Sequence, residues 1–212
     1  MKVFFFSLLA FTWIGCASHY YVYDVRMTHP IESRELFYEN DTFSIEFHLE
    51  PKDMHVYLSN KTDEGIRINW DDVSMSLFGN ANRIVHKETS YAGLTFVQPS
   101  TTIPPHSKLS DYLIPTRKVR FYEVRPSSFV VIEDVFPDYD NGEKYKKATI
   151  DGLRGSEVNV FLPFYLGESR ISKYYLLKIE DIKTYKKKPK GFELGKVPTK
   201  IGSTPVKKSK NQ

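Results

Sequence analysis

Apolar and polar residues alternate in residues 43–49 (FSIEFHL) and again in residues 54–58 (MHVYL). A period of two sends successive side chains to opposite faces of an extended strand, so each segment predicts a β-strand with one buried face. From residue 20 onward, no segment has the sustained apolar period of 3.6 that marks an amphipathic helix. The alternation therefore favours a fold built from strands.

The two alternating segments also predict a hairpin with a defined register. Residues 50–53 (EPKD) have the composition of a turn, and a four-residue loop there sets Phe47 opposite Val56 and Ile45 opposite Leu58. These pairs lie on one apolar face. A slip of one residue would bring the apolar face of one strand against the polar face of the other.

Residues 66–70 (IRINW) alternate as well and predict a third strand next to the hairpin. A loop at residues 61–65 would then place Leu58 opposite Ile68 and Val56 opposite Trp70, giving a three-stranded antiparallel meander. Asp71 and Asp72 separate this strand from residues 73–77. We interpret the pair as turn residues rather than as catalytic or calcium-binding carboxylates.

Further strand candidates follow at short intervals, separated by prolines. Many short strands with turn signals between them are typical of a sandwich or a barrel. We predict an antiparallel, immunoglobulin-like β-sandwich over residues 20–182, in preference to a closed barrel. The additional strand candidates are residues 20–26, 83–86, 94–98, 109–114, 119–124, 128–136, 158–164 and 174–182.

The N-terminus has the layout of a secretory signal. Lys2 supplies a positive charge, residues 3–15 (VFFFSLLAFTWIG) carry none, and small residues surround Cys16. A membrane-spanning helix needs about 20 apolar residues, and this run is shorter. We therefore expect a removable signal peptide over residues 1–15.

The residues Trp13-Ile14-Gly15-Cys16 resemble the lipobox of bacterial lipoproteins, with Trp13 where leucine is usual. The resemblance implies that diacylglycerol is attached to the sulfur of Cys16, that a peptidase cuts just before it, and that the new amino group is often acylated too. It further implies a tether over residues 16–19 and, from Ala17, an outer-membrane destination. The alternative is a plain signal peptide, cut after Ala17 or Ser18, with the thiol discarded or left idle. The body faintly resembles small β-domain lipoproteins of unknown function.

The charge of the chain is unevenly distributed. Residues 183–212 contain ten lysines and one acid, Glu193, so this tail has a net charge of +9. The whole chain has a net charge of +4, so the remainder is acidic. With few apolar residues the tail cannot bury enough surface to fold, and we predict that it is disordered. A solvated tail and a tail that contacts anionic lipid or an envelope polymer are both open, and we expect no nucleic-acid partner.

The predicted register sets His48 directly opposite His55 on the polar face of the hairpin. Two opposed imidazoles lie close enough to share a metal ion, but zinc normally takes three or four protein ligands and the sequence places no third. We therefore predict no metal site and name this pair as the candidate to examine.

The chain contains none of the common sequence motifs for nucleophilic, phosphate-binding or zinc-dependent catalysis. We therefore predict no enzymatic activity and no cofactor, and a binding or scaffolding role at the envelope with a protein or polymer partner. The alternative is a secreted metal-binding protein or hydrolase with its site dispersed over loops. Asn60 heads an N-x-T glycosylation pattern, which carries no meaning in a bacterium.

Overall fold

A computed structural model describes residues 19–89, 98–124, 127–139 and 147–187. These residues form antiparallel strands, one short helix, α1 (Lys147–Asp151), and two single-turn 3₁₀ helices at Trp70–Asp72 and Thr116–Lys118. The strands are β1 (Tyr20–His29), β2 (Phe37–Glu39), β3 (Phe43–Leu49), β4 (Met54–Asn60), β5 (Ile66–Ile68), β6 (Ser74–Leu77), β7 (Asn80–Val85), β8 (Thr101–Ile103), β9 (Lys108–Pro115), β10 (Val119–Val124), β11 (Ser127–Ile132), β12 (Glu157–Leu166) and β13 (Ser169–Tyr185).

Most of the strands belong to one folded sheet with the order β1-β13-β12-β6-β7-β9-β4-β3-β2. The pairing of β7 with β9 is short, because only Ile84 with Pro115 and Val85 with Ile114 are matched. This junction divides the sheet into layer A (β1, β13, β12, β6 and β7, with β5 and β8) and layer B (β9, β4, β3 and β2). Strands β10 and β11 pair with each other as a separate hairpin.

Aromatic side chains fill the space between the two layers. Phe43 of β3 meets Phe164 of β12 edge to face at 5.0 Å between ring centroids, and Phe47 meets Tyr175 of β13 at 5.1 Å. Edge-to-face pairs at this distance add to the free energy of burying the rings. The sheet therefore folds back on itself around one hydrophobic core, which confirms the predicted all-β antiparallel class. The arrangement is nearly closed and barrel-like, and its immunoglobulin-like character stays a prediction.

The register of the β3–β4 hairpin is as predicted. Phe47 lies opposite Val56 and Ile45 opposite Leu58, and all four side chains are buried. Along β3, buried and half-buried residues alternate without interruption. A turn composition between two segments of period two was enough to set this register, because only one alignment buries both apolar faces.

The predicted meander is wrong beyond β4. Strand β4 pairs with β9, which sets Leu58 opposite Leu109, whereas Ile68 of β5 lies opposite Thr101 of β8. The Asn60 side-chain nitrogen donates hydrogen bonds to the carbonyls of Glu64, Ile103 and Pro104, and these bonds hold the chain where it crosses from layer B to layer A. Alternation fixes which residues are buried but not which strand lies alongside.

After the crossing, β5 and β6 run in succession along β12. Arg67 lies opposite Tyr165, and Ser74 lies opposite Phe161. The 3₁₀ turn Trp70–Asp72 interrupts them, which confirms that Asp71 and Asp72 are turn residues. Trp70 is thus a buried turn residue and does not belong to a strand, contrary to the prediction.

The last strand extends past the predicted end of the body at residue 182. Residues of β13 up to Tyr185 pair with the first residues of β1, and Tyr185 lies opposite Tyr20. The predicted start of the tail at residue 183 therefore falls inside β13, because partners on β1 satisfy its backbone. The strand candidate at residues 94–98 lies mostly outside the described residues. No helix in the described part of the chain is long and apolar enough to cross a membrane.

Candidate functional site

The outer face of layer B presents polar and aromatic side chains in register. Neighbouring strands place these residues directly opposite one another, so their side chains project from the same face. Three rows cross β3, β4 and β9: Ser44, Ser59 and Lys108; Glu46, Tyr57 and Ser110; and His48, His55 and Tyr112. The short edge strand β2 extends the second row, because Phe37 lies opposite Glu46.

A groove with a volume of about 420 Å³ lies across the first two rows. We call it the serine groove, because Ser44, Ser59 and Ser110 are three of the residues that line it. Their short side chains leave room between the larger Phe37 and Tyr57. The remaining lining residues are Glu46, Leu58, Lys108 and Leu109. Short serine side chains next to the larger Phe37, Tyr57 and Lys108 thus explain the concavity.

Tyr57 and Lys108 are the prominent exposed groups of the serine groove. The Tyr57 side chain is 42% exposed, and its ring meets the His48 ring edge to face at 5.0 Å. A carboxylate oxygen of Glu46 lies within hydrogen-bond distance of Nε2 of His48, at 2.7 Å, which holds the carboxylate next to the tyrosine. The groove therefore offers the aromatic ring and hydroxyl of Tyr57, three serine hydroxyl groups, one carboxylate and one ammonium group to a ligand.

The structure brings His48 and His55 opposite each other, as the sequence predicts. Each imidazole, however, lies next to an acid on its own side: His48 contacts Glu46, and His55 contacts Asp53 at 3.2 Å. Burial raises the pKa of Asp53, and the neighbouring His55 opposes this shift. Among the described residues, no group of three or more histidine, cysteine, aspartate or glutamate side chains is arranged to hold a metal ion.

A second polar cluster is buried at the junction of the two layers. His86 is fully buried, and its Nδ1 lies 3.2 Å from a carboxylate oxygen of Asp111, which is 4% exposed. The imidazole stacks on Trp70 with 4.4 Å between ring centroids and 12° between planes. Sequence analysis did not single out either residue, because they are separated by 25 positions and neither belongs to a recognisable motif.

Asp111 accepts hydrogen bonds from backbone groups next to the short β7–β9 pairing. One of its oxygens accepts hydrogen bonds from the backbone N–H groups of Lys87 and Tyr112, at 2.8 and 2.7 Å. Buried donors without acceptors are costly, so the aspartate stabilises the junction. Nε2 of His86 has no hydrogen-bond partner among the described residues, but its burial keeps it from any ligand in solution. We therefore assign this cluster to the architecture and take the serine groove as the candidate site.

The N-x-T pattern at Asn60 also has a structural explanation. Asn60 is 1% exposed, and its Oδ1 accepts hydrogen bonds from the backbone N–H and the hydroxyl of Thr62. Since the side-chain nitrogen of Asn60 donates to three carbonyls, both the nitrogen and the oxygen of this amide are hydrogen-bonded within the protein. Cys16 and residues 188–212 of the tail lie outside the described residues, so the structure does not test their predicted roles.

No model of a known protein family matches this chain, and a comparison with curated proteins finds no match either.

Proposed function

We propose that this chain is a lipid-anchored protein of the bacterial cell envelope that binds a saccharide polymer in the serine groove, without catalysing a reaction. The proposal combines the lipobox-like residues before Cys16 with the groove on the outer face of layer B. The observation that carries it is the in-register grid of serines, Tyr57, Glu46 and Lys108 around a volume of about 420 Å³. That volume falls within the range of small-ligand sites, roughly 300–1,000 Å³.

The chemistry of the groove suits a sugar chain. A sugar ring has C–H groups on its faces, which pack on an aromatic ring, and hydroxyl groups around its edge, which donate and accept hydrogen bonds. Tyr57 supplies an aromatic face with a polar tip. Hydroxyl groups of serine can rotate to donate or to accept, so the three serines adapt to successive hydroxyls of a ligand. A ligand made mainly of alkyl groups would leave these hydroxyls without partners.

The same groove lacks the paired groups that glycoside hydrolysis requires. Most glycosidases place two carboxyl groups on either side of the scissile bond. Among the described residues that line the serine groove, Glu46 is the single carboxylate. This supports binding over the alternative of a hydrolase, which remains the rival proposal.

Binding to isolated envelope polysaccharides tests the proposal. The chain of residues 17–212 keeps every residue that the structure describes, so it suits assays without the signal peptide. We would measure its retention on two materials: peptidoglycan sacculi, and the polysaccharide part of lipopolysaccharide after its lipid has been removed. Replacing Tyr57 with alanine should weaken retention about tenfold, because truncating a central aromatic contact commonly costs more than 1 kcal/mol.

The matched control is Tyr174→Ala. Tyr174 is 51% exposed on the outer face of layer A and paired with Phe161, so it tests whether any exposed tyrosine has the same effect. The lysine tail is unchanged in both variants, so the comparison isolates the groove. Failure of the wild-type chain to bind either polysaccharide, or equal binding by Tyr57→Ala, would remove the support for this function.

A further inference from the structure

The two ends of the described chain meet at one end of layer A. Tyr20 is the first residue of β1, Tyr185 is the last residue of β13, and they lie directly opposite each other. The register places the residues that precede Tyr20 and those that follow Tyr185 on adjacent strand ends. Whatever holds the N-terminal side near a surface therefore brings the start of the lysine tail to the same surface.

Tyrosine side chains stand together at this end. Tyr139 forms an isolated antiparallel bridge with Tyr20, and their ring centroids are 5.1 Å apart. Since Tyr185 is paired with Tyr20 on its other side, the three residues form a row across adjacent backbones. Tyr139 is 37% exposed. Tyrosines with an apolar ring and a polar hydroxyl are enriched where proteins meet the boundary between membrane and water.

Lysines follow the tyrosine row without a gap. Residues 186–190 (KKKPK) contain four lysines in five positions, and Lys186 and Lys187 are exposed in the structure. Neither of these two forms an ion pair with another described residue. The nearby acids on the strands are already engaged: Asp24 lies 3.9 Å from Lys183, and Asp181 accepts a bond from Arg154 at 2.9 Å. Within the described part of the chain, the charges of Lys186 and Lys187 therefore have no acidic partner.

The distance from a lipid on Cys16 to this end is short. Three residues lie between Cys16 and Tyr20, and the four steps along the chain span only about 14 Å even when fully extended, at about 3.5 Å per step. A charge interacts appreciably with a surface within about one Debye length, about 8 Å at physiological ionic strength. A folded body held by such a tether keeps Lys186 and Lys187 close enough to the headgroups for a flexible lysine side chain to reach them.

We infer that Lys186 and Lys187, which follow the last residue of β13, form a second membrane-binding signal, which docks on anionic phospholipid headgroups beside the lipid anchor. The inference rests on the proposed anchor at Cys16 for its geometry, and the tyrosine row forms the apolar part of the same contact. The two chains of a diacylglycerol hold a protein at a membrane, but a tether alone does not fix the orientation of the body. Lys186 and Lys187 add an electrostatic contact with the headgroups, which turns this end of layer A toward the bilayer.

Vesicle co-sedimentation of residues 17–212 tests the inference without a lipid on the protein. The vesicles are phosphatidylcholine alone or phosphatidylcholine mixed with phosphatidylglycerol. The test variant replaces Lys186 and Lys187 with glutamine. The matched control replaces Lys52 and Lys178 with glutamine, two exposed lysines elsewhere on the body, which removes the same charge. Each lysine at an anionic surface contributes about fivefold in affinity, so the test variant should bind at least roughly tenfold more weakly.

The expected pattern is binding to the anionic vesicles that raised salt abolishes, loss of binding in the test variant, and retention in the control. Equal binding of the test variant and wild type, equal loss in both variants, or equal binding to vesicles of phosphatidylcholine alone would overturn the inference. Because the assay needs neither the thioether on Cys16 nor a saccharide, the anchor and the serine groove can fail their own tests without affecting its outcome.

Discussion

Glu46 on β3 lies directly opposite Tyr57 on β4, and both side chains project from the outer face of layer B into the serine groove. The pairing places a carboxylate beside an exposed aromatic ring, while the buried residues on either side of each belong to the core. The inward side chains of this hairpin thus pack in the core, and its outward side chains line the serine groove.

Filling the serine groove should abolish binding without unfolding the protein. Ser59 lines the groove, and Ser59→Trp would occupy part of its volume with a large ring. We expect at least a tenfold loss in retention on the polysaccharide that binds the wild type, and a thermal midpoint within a few degrees of it, since surface substitutions usually change stability by less than about 0.5 kcal/mol. The comparable Ser172→Trp on β13 should leave binding unchanged. Unaltered binding by Ser59→Trp would place the ligand elsewhere.

Lipidation of Cys16 can be measured in living bacteria. Cells that express the full chain are labelled with radioactive palmitate, and the labelled protein is compared with Cys16→Ser. We expect label in the wild type and none in the variant, because the thioether needs the sulfur. Equal incorporation by both proteins would contradict the proposed anchor, and label in neither would favour the plain signal peptide.

The buried pair of His86 and Asp111 should contribute strongly to stability. Asp111→Ala leaves the backbone N–H groups of Lys87 and Tyr112 without their acceptor, so we expect a loss of about 3 kcal/mol in the free energy of unfolding. Asp63→Ala is the matched control, because Asp63 also contacts a histidine, His106 at 2.8 Å, but its side chain is 98% exposed. That change should cost less than about 0.5 kcal/mol. Urea denaturation measures both. Similar losses in the two variants would show that burial does not determine the effect.

The opposed histidines of the hairpin should not bind zinc tightly. His48 and His55 each contact an acid on their own side, and no third ligand from the described residues joins them. We expect calorimetric zinc titrations of residues 17–212 and of its His48→Ala variant to give the same result, without zinc binding that depends on His48. Zinc uptake at one equivalent that this substitution abolishes would revive the alternative of a metal-binding protein.

Local patterns predicted local structure well in this chain. The period of two and the EPKD turn determine the β3–β4 register down to the pair of His48 and His55, because a single alignment satisfies the apolar face. The same reasoning failed at β5, where the buried amide of Asn60 diverts the chain to the other layer. An asparagine that bonds carbonyls 43 and 44 positions away leaves no signature in the sequence around it.

The serine groove illustrates a similar limit. Serines at the polar positions of a strand are ordinary, and Ser110 comes from a strand that sequence analysis did not place beside the hairpin. Only the pairing of β4 with β9 brings Ser110 and Lys108 next to Tyr57 and Ser59. Their sequence separation of about 50 residues carries no period or spacing that could have revealed the site.

Amide chemical-shift mapping tests the central claim most directly. Isotope-labelled protein of residues 17–212 is titrated with soluble oligosaccharide fragments of the polysaccharide that it retains. We predict concentration-dependent shifts that cluster on the strands of the serine groove, around Ser44, Tyr57 and Ser110, and that Tyr57→Ala suppresses. The absence of shifts, or shifts that cluster around Phe161 and Tyr174 on layer A, would contradict it.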